Sequence, residues 1–288
     1  MDPRPVGVFD SGVGGLTVVR AIMDALPNEP VVYFGDTARY PYGPRPLEQT
    51  RAFAVQIAEH LMERDVKLIV VACNTATAAA LDDVAAAVPV PVVGVIDPAV
   101  RAALRATRNG RIGLIGTEGT VASGAYQRAL ERLADNAVVE LVPQACPMFV
   151  EFVERGDTTS AGLFSVAERY LAVLRVSDID TLILGCTHYP LLRGAIHHVM
   201  GDGVLLLSSA DETAKEVYEA LTAGGLLADG RTPAEHRFES SGDPDNFARL
   251  LTLFMAPRFH QTERVALDDG TRAPVGSGLG HPRDPGGR

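Results

Sequence analysis

Two segments of the chain place a cysteine directly after an apolar run of strand length. The first, residues 67–77, reads KLIVVACNTAT and carries Cys73, and the second, residues 180–190, reads DTLILGCTHYP and carries Cys186. In both segments polar residues follow the cysteine, and a helix is predicted to begin close behind it. Because ligands bind at the carboxyl ends of the strands in open α/β sheets, the pattern predicts two thiols aimed at one crevice.

The rest of the chain alternates between strand and helix patterns, as parallel α/β proteins do. Strands are predicted at residues 6–9, 31–34, 67–72, 90–96, 111–115, 138–142, 180–185, 204–207 and 236–240. Helices are predicted at residues 16–26, 47–64, 78–87, 161–174, 210–221 and 247–255, with one starting at Asp97-Pro98 and a short one reaching Glu154.

The two halves of the chain resemble each other weakly. Cys73 lies 66 residues after Gly7 and Cys186 lies 73 residues after Gly113, and each glycine opens a strand followed by a small polar turn. We therefore expect an α/β fold of two similar doubly wound domains that face each other across a central cleft. The expected domains are residues 1–97 with 208–267, and residues 98–207, while the Gly-, Pro- and Arg-rich stretch 268–288 is expected to be a disordered tail.

Composition limits the environment and the partners. A net charge of -10 and a pI near 5.2 argue against nonspecific binding to nucleic acid or to anionic membrane surfaces. No apolar run reaches the roughly 18 residues of a membrane span, and the first residues do not resemble a signal peptide. Three cysteines without the spacing of a disulfide framework favour a reducing cytoplasm.

The cysteines suggest proton transfer. The positive end of a helix dipole favours a thiolate at a helix N-terminus. Because a free cysteine titrates near about 8.5, a modest shift at Cys73 and Cys186 would leave a mixture of thiol and thiolate at neutral pH. Such a pair suits a reaction in which one member removes a proton and the other donates one. Cys146 is expected to be a small buried apolar residue.

Polar residues beside the cysteines are candidates for ligand binding. Asn74, Thr75 and Thr187 would bring amide and hydroxyl groups to two helix N-termini, where carboxylates bind. Asp10 lies in a glycine-rich turn, 10–15, that lacks dinucleotide-binding spacing. Its charge would repel a phosphate, so it suits an amine or a base instead.

Other chemistries fit the residues less well. His188 is compatible with a helix cap or with a base for Cys186, and the second interpretation leaves a cysteine hydrolase open. The same pair offers only two zinc ligands, so no metal is expected. The only lysines are Lys67, at the far end of the first cysteine strand, and Lys215, in a late helix. Neither is placed to form a Schiff base with pyridoxal phosphate, so no cofactor is expected.

Four motifs occur in one order along the chain: DSGVGG at 10–15, GDTARYPYG at 35–43, ACNTA at 72–76 and GCTHYP at 185–190. Together they resemble the bacterial glutamate racemases. The resemblance covers residues 6–267 and implies a cofactor-independent isomerase that interconverts L- and D-glutamate. It also implies a role in supplying D-glutamate for peptidoglycan, and hence in cell wall biogenesis and cell shape.

The resemblance implies roles for particular residues. Cys73 and Cys186 would be the acid/base pair, with Cys73 facing D-glutamate and Cys186 facing L-glutamate. The supporting catalytic residues would be Asp10, Asp36, Glu154 and His188. The residues contacting glutamate would be Asp10, Ser11, Tyr42, Gly43, Asn74, Thr75, Thr187 and His188.

The chain departs from the family pattern at Glu151, where proline is common, and at 208–210, where Ser-Ser-Ala replaces a more usual Asp-Ser-Ala. An aspartate-type racemase of the same fold and a two-lobed binding protein for an acidic amino acid are the alternatives beside the hydrolase. The expected partner is a small-molecule substrate, glutamate, and a homodimer is possible.

Overall fold

The computed structural model describes residues 1–231, 233–255 and 263–267, and the stretch predicted as a disordered tail, 268–288, lies outside them. In this part of the chain the strands form two sheets, and every strand pairing is parallel. The predicted α/β class with parallel sheets is confirmed.

The first sheet has six strands in the order β10-β9-β2-β1-β3-β4. Its strands are β1 (Val6–Asp10), β2 (Val31–Gly35), β3 (Leu68–Val71), β4 (Val92–Gly94), β9 (His236–Ser240) and β10 (Glu263–Arg264). The second sheet has four strands in the order β6-β5-β7-β8. Its strands are β5 (Arg111–Gly116), β6 (Glu140–Ala145), β7 (Thr181–Gly185) and β8 (Leu205–Ser208). The order β2-β1-β3-β4 is repeated as β6-β5-β7-β8, as expected for two similar halves.

Eleven α-helices and a short 3-10 helix accompany the strands in the described residues. The first six α-helices are α1 (Leu16–Ala25), α2 (Leu47–Met62), α3 (Asn74–Ala87), α4 (Ile96–Ala106), α5 (Glu118–Ala122) and α6 (Ala125–Leu133). The others are α7 (Met148–Glu154), α8 (Ala161–Val176), α9 (Arg193–Met200), α10 (Ser209–Ala223) and α11 (Pro244–Met255), and the 3-10 helix is Tyr189–Leu192.

Both sheets are covered by helices on two faces, because successive strand residues point to opposite sides. In β1, Val6 and Val8 join one apolar core, which includes residues of α1 and α10, while Phe9 joins a second core formed with α2 and α3. In β7, Leu182 joins the first core and Ile183 joins a third, which includes residues of α4 and α6. This is the doubly wound arrangement that the sequence predicts.

Two local predictions were wrong. The strand predicted at 138–142 is observed at Glu140–Ala145. It is an edge strand, where Pro143 and Gln144 are tolerated because one side needs no ladder hydrogen bonds. The helix expected directly after Cys186 is a 3-10 turn that contains Pro190, and the α-helix begins only at Arg193.

The chain returns to its first half near the end. Helix α10 packs on α1, and β9 inserts beside β2 in the first sheet. The domain boundaries expected at residues 97 and 207 stay a prediction. None of the helices in residues 1–231 and 233–255 is long and apolar enough to cross a membrane.

Candidate active site

Both cysteines that end a central strand line one cavity of about 320 Å³ between the two sheets. Cys73 follows β3 and Cys186 follows β7, so each thiol lies at the carboxyl edge of its own parallel sheet. The cavity is lined by Ser11, Tyr40, Pro41, Tyr42, Gly43, Pro44, Cys73, Asn74, Thr75, Thr117, Glu118, Pro147, Val150, Glu151, Glu154, Cys186, Thr187 and His188. The predicted convergence of two thiols on one crevice is therefore present in the structure.

Cys73 is the N-cap residue of α3. Its Sγ accepts the backbone N–H of Ala76 at 3.4 Å and lies 3.6 Å from Ser11 Oγ. The side chain is almost completely buried. Burial, and then the negative charge of Asp10, raise the pKa of Cys73 to about 12 despite the favourable hydrogen bonds. Cys73 is consequently a neutral thiol in the unliganded site.

Cys186 has a cationic neighbour. Its Sγ lies 3.8 Å from His188 Nδ1, and His188 Nε2 lies 3.1 Å from Glu154 Oε1. Burial lowers the pKa of His188, but the hydrogen bonds and charges of Cys186 and Glu154 outweigh it and raise the pKa to about 10. The imidazolium at neutral pH is placed to stabilise a thiolate at Cys186.

The two thiols therefore have different electrostatic environments. The expected shift of Cys73 toward thiolate is wrong, because burial dominates over the helix N-terminus and raises the pKa of Cys73. Cys186 precedes a 3-10 turn instead of an α-helix. One thiol is neutral, while the other lies beside an imidazolium cation.

The glycine-rich turn brings Asp10 behind this site. Asp10 does not line the cavity; its Oδ2 accepts the Gly12 N–H at 3.1 Å, and its Oδ1 lies 3.5 Å from Thr187 Oγ1. Burial raises the pKa of Asp10, while the positive charge of His188 opposes that shift. Asp10 thereby connects the first turn to the second cysteine segment.

Asp36, expected to be catalytic, lies outside the cavity wall. The carboxylate is buried behind Tyr42, whose hydroxyl donates a short hydrogen bond to Asp36 Oδ2. Arg39 Nε donates to the same oxygen at 2.7 Å, and Ser241 Oγ donates to Oδ1 at 2.7 Å. Asp36 holds Tyr42 against the cavity instead of facing a ligand there.

The carboxylate-binding candidates lie together at the start of α3. Asn74 and Thr75 both line the cavity, and Thr75 Oγ1 is 2.9 Å from Thr117 Oγ1 and 3.1 Å from Thr120 Oγ1. Asn74 Oδ1 accepts the hydroxyl of Tyr126 at 2.7 Å, whereas Asn74 Nδ2 is buried without a partner. An unsatisfied buried donor on a side chain that lines a cavity suits a ligand oxygen.

The sequence did not indicate several residues of the site. Tyr40, Pro147 and Val150 complete the wall, and Glu118 and Glu151 add carboxylates to it. Tyr40 belongs to the motif at 35–43 and Glu151 was noted as a departure from the family pattern, but neither was expected to contact a ligand. The others come from loops and short helices with no distinctive pattern of their own.

The third cysteine and the two lysines lie outside the cavity. Cys146 is fully buried and does not line the cavity, and Lys67 pairs with Glu29 at 2.5 Å inside the first sheet's core. Lys215 pairs with Glu212 on the surface of α10. Among the residues with described positions, no three His, Cys, Asp or Glu side chains are grouped to hold a metal ion.

This combination of fold and site defines a class of racemase. The sequence pattern described as Asp/Glu/Hydantoin racemase matches residues 14–217, and the chain belongs to that family. It is 53% identical over 266 residues to a glutamate racemase of Corynebacterium diphtheriae. The alignment covers 92% of this chain and 99% of the relative.

Solved structures give the same result. The fold matches glutamate racemase from Thermus thermophilus in complex with beta-chloro-D-alanine with a TM-score of 0.83 at 47% identity, covering 93% of this chain and 99% of that one. It matches glutamate racemase from Francisella tularensis in complex with D-glutamate with a TM-score of 0.86 at 36% identity, covering 93% and 99%.

Proposed function

We propose that this chain interconverts L- and D-glutamate through two cysteines and without a cofactor, as an isomerase. The observation that carries the proposal is the pair of thiols lining a single cavity from two similar sheets. Reversing the configuration of a carbon atom requires a proton to leave one face and another to arrive at the opposite face. Two opposed thiols provide that symmetry, which a hydrolase does not need.

The mechanism follows from the unequal environments of the thiols. Cys186, as a thiolate beside the His188 imidazolium, removes the α-proton of L-glutamate. The neutral thiol of Cys73 then protonates the opposite face and gives D-glutamate. The reverse reaction begins with Cys73 deprotonated and Cys186 protonated, so the two ionisations belong to the coupled site.

Donors in the cavity bind the substrate and stabilise the developing negative charge. Asn74 Nδ2 is a buried donor without a protein partner, and Thr75 and Thr187 line the same cavity with side chains that carry hydroxyl groups. The remaining proposed contacts are Ser11, Tyr42 and Gly43 in the wall, with Asp10 directly behind it. Preorganised donors in a site closed from water stabilise a carbanion more strongly than water does.

The biological role proposed is the supply of D-glutamate for peptidoglycan, and so for cell wall biogenesis and cell shape. Free glutamate is the partner in this role, and the cytoplasm is the proposed location. A homodimer is also proposed, and sedimentation velocity at several concentrations tests it. A single monomer boundary at every concentration would contradict the dimer without affecting the catalytic proposal.

Incubations with L-glutamate and with L-aspartate distinguish the candidate functions. Purified protein with L-glutamate should lose optical rotation until the two enantiomers are present in equal amounts. The chain Cys186–His188–Glu154 also resembles a hydrolase triad, and ammonia release would favour that alternative. Saturable binding without turnover would indicate a binding protein, and racemisation of aspartate alone would indicate the aspartate-type enzyme.

The faces assigned to the thiols are tested in D2O. Wild-type protein should place deuterium in the product before it appears in the remaining substrate. Cys73→Ala should lose racemisation but still exchange deuterium into L-glutamate, and Cys186→Ala should exchange it into D-glutamate. Cys146→Ala, a buried cysteine outside the cavity, is the matched control and should racemise normally. Near-normal racemisation by Cys73→Ala or by Cys186→Ala would contradict the two-thiol mechanism.

A further inference from the structure

Asn74 is an asparagine whose two amide atoms have opposite situations. Its Oδ1 accepts a hydrogen bond from Tyr126 Oη at 2.7 Å, while its Nδ2 is buried and has no partner. Leaving a buried donor unpaired costs about 1–3 kcal/mol. The unpaired atom belongs to a side chain that lines the cavity, so a ligand oxygen would remove that penalty.

Tyr126 comes from the other half of the molecule. It lies in the first turn of α6, beside the second sheet, and is fully buried without lining the cavity. Its ring packs over the end of β7: a Cβ added to Gly185 would lie 3.4 Å from Tyr126 Cε2. The tyrosine therefore rests next to the strand that delivers Cys186, and its hydroxyl reaches the residue after Cys73.

An amide can rotate by a half turn and exchange its oxygen and nitrogen, and only a neighbour selects one orientation. Burial, and then the charge of Cys186, raise the pKa of Tyr126, so its hydroxyl remains a proton donor. A donor selects the amide oxygen as its partner, and this choice leaves Nδ2 as the unpartnered amide atom of a side chain that lines the cavity.

We propose that Tyr126 is a positioning residue, whose hydroxyl fixes the Asn74 amide so that Nδ2 donates to a carboxylate oxygen of the substrate. This inference rests on the proposed racemase function. In this proposal Tyr126, which lies outside the cavity, sets the orientation of the Asn74 amide, which belongs to the cavity wall. Without the hydroxyl, the amide would spend part of its time with its oxygen facing the substrate carboxylate.

Tyr126→Phe keeps the ring and removes only the hydroxyl. We expect KM for both enantiomers to rise about tenfold, with kcat changed less than about threefold, because one hydrogen-bond donor is lost from the bound state. Tyr189→Phe is the matched control, since that buried hydroxyl donates to the carbonyls of Gly116 and Cys146. It should reduce the free energy of unfolding without the same rise in KM.

A double-mutant cycle separates positioning from general support of the fold. With Asn74→Ala as background, Tyr126→Phe should change KM less than about twofold, because its target is gone. An undiminished effect in that background, or an unchanged KM in the single variant, overturns the proposal.

Asn74→Asp provides a test that does not depend on the folding of a Tyr126 variant. It preserves an acceptor for Tyr126 but turns an oxygen toward the substrate, so KM should rise more than about tenfold. Wild-type affinity in that variant also overturns the proposal. If the wild-type protein fails to racemise glutamate, the proposed function fails first, and that result is read before any variant.

Discussion

At the scale of single residues, His188 supplies the positive charge beside the Cys186 sulfur. The pKa of His188 is raised to about 10, so the side chain stays protonated throughout the neutral range and loses its charge only as the pH rises through that value. Its positive charge lies between the Cys186 sulfur and the Glu154 carboxylate. Replacing His188 with a neutral side chain should therefore remove the positive charge beside the Cys186 sulfur.

We predict that His188→Asn lowers kcat/KM about 100-fold and moves the acidic limb of its pH profile to higher pH. The loss must be equal in both directions, because the enantiomers have the same free energy. His197→Asn is the matched control, since His197 is exposed on α9 and should leave the profile unchanged. An unaltered profile in a folded His188→Asn protein would reduce His188 to a packing residue.

The residue scale also shows where sequence reasoning succeeds. Cys73 and Cys186 were predictable because an apolar strand that ends in a thiol is a local pattern. Asp36 is part of an equally clear motif, yet its carboxylate lies behind Tyr42, since a motif does not say which way each side chain points. Tyr126 had no signal at all, because its partner Asn74 is 52 residues away in the chain.

At the scale of elements, the turn between β1 and α1 requires glycine because the second cysteine segment lies against it. A Cβ on Gly14 would overlap Thr187 Oγ1 and lie 2.5 Å from His188 Nδ1. Thr17 Oγ1, in the first turn of α1, also donates to the Thr187 carbonyl at 2.9 Å. The glycine turn is therefore a contact surface for the second cysteine segment.

Gly14→Ala should reduce kcat/KM at least 100-fold, because the methyl group displaces Thr187 Oγ1 and the His188 ring, which follow Cys186 in the chain. Gly194→Ala is the matched control: it lies in α9 with open space around its Cβ position. That substitution should leave activity unchanged and stabilise the helix by up to about 1 kcal/mol. Steady-state kinetics and urea unfolding of both variants make the comparison. Equal activity of the Gly14→Ala and Gly194→Ala proteins would show that the turn accommodates the methyl group without displacing Thr187 and His188.

Elements were predicted well where burial enforces an apolar pattern and poorly where it does not. The central strands β1, β3, β5 and β7 were all identified within two residues of their observed bounds, since both of their faces are covered. The edge strand β6 was displaced in the prediction, because its observed span includes Glu140, Pro143 and Gln144. Edge strands need fewer apolar residues, and their pattern is correspondingly weak.

At the scale of the whole molecule, the chain closes by returning β9 to the first sheet. Glu239 on this strand is almost completely buried, and its Oε2 lies 2.7 Å from His60 Nε2. Arg64 Nε donates to the other oxygen at 2.7 Å. Two residues beyond, Ser241 donates to Asp36, which holds Tyr42 in the cavity wall. The returning segment thus stabilises the fold and supports the site.

The network around Glu239 predicts a specific acid sensitivity. Burial opposes ionisation, but the hydrogen bonds from His60 and Arg64 prevail, and the pKa of Glu239 is lowered. A carboxyl group with a lowered folded-state pKa adds stability that is fully present above its unfolded value, about 4.3. That stability is lost as the pH falls through the lowered folded-state pKa.

Glu239→Gln should therefore reduce the free energy of unfolding by about 3 kcal/mol at pH 7, since it removes one partner from a buried ionic network. The difference from wild type should begin to narrow as the pH falls below the unfolded-state value, about 4.3, and should narrow further toward the lowered folded-state pKa. Glu140→Gln is the matched control, because Glu140 pairs with Arg111 at 3.0 Å on the exposed surface. That pair should contribute less than about 1 kcal/mol.

Urea unfolding of the three proteins at pH 7 and at pH 3.5 makes the measurement. Equal losses in the two variants would show that β9 is held by its strand pairing and apolar contacts alone. A Glu239 deficit that persists undiminished at the lower pH would show that ionisation of the carboxyl group is not its source.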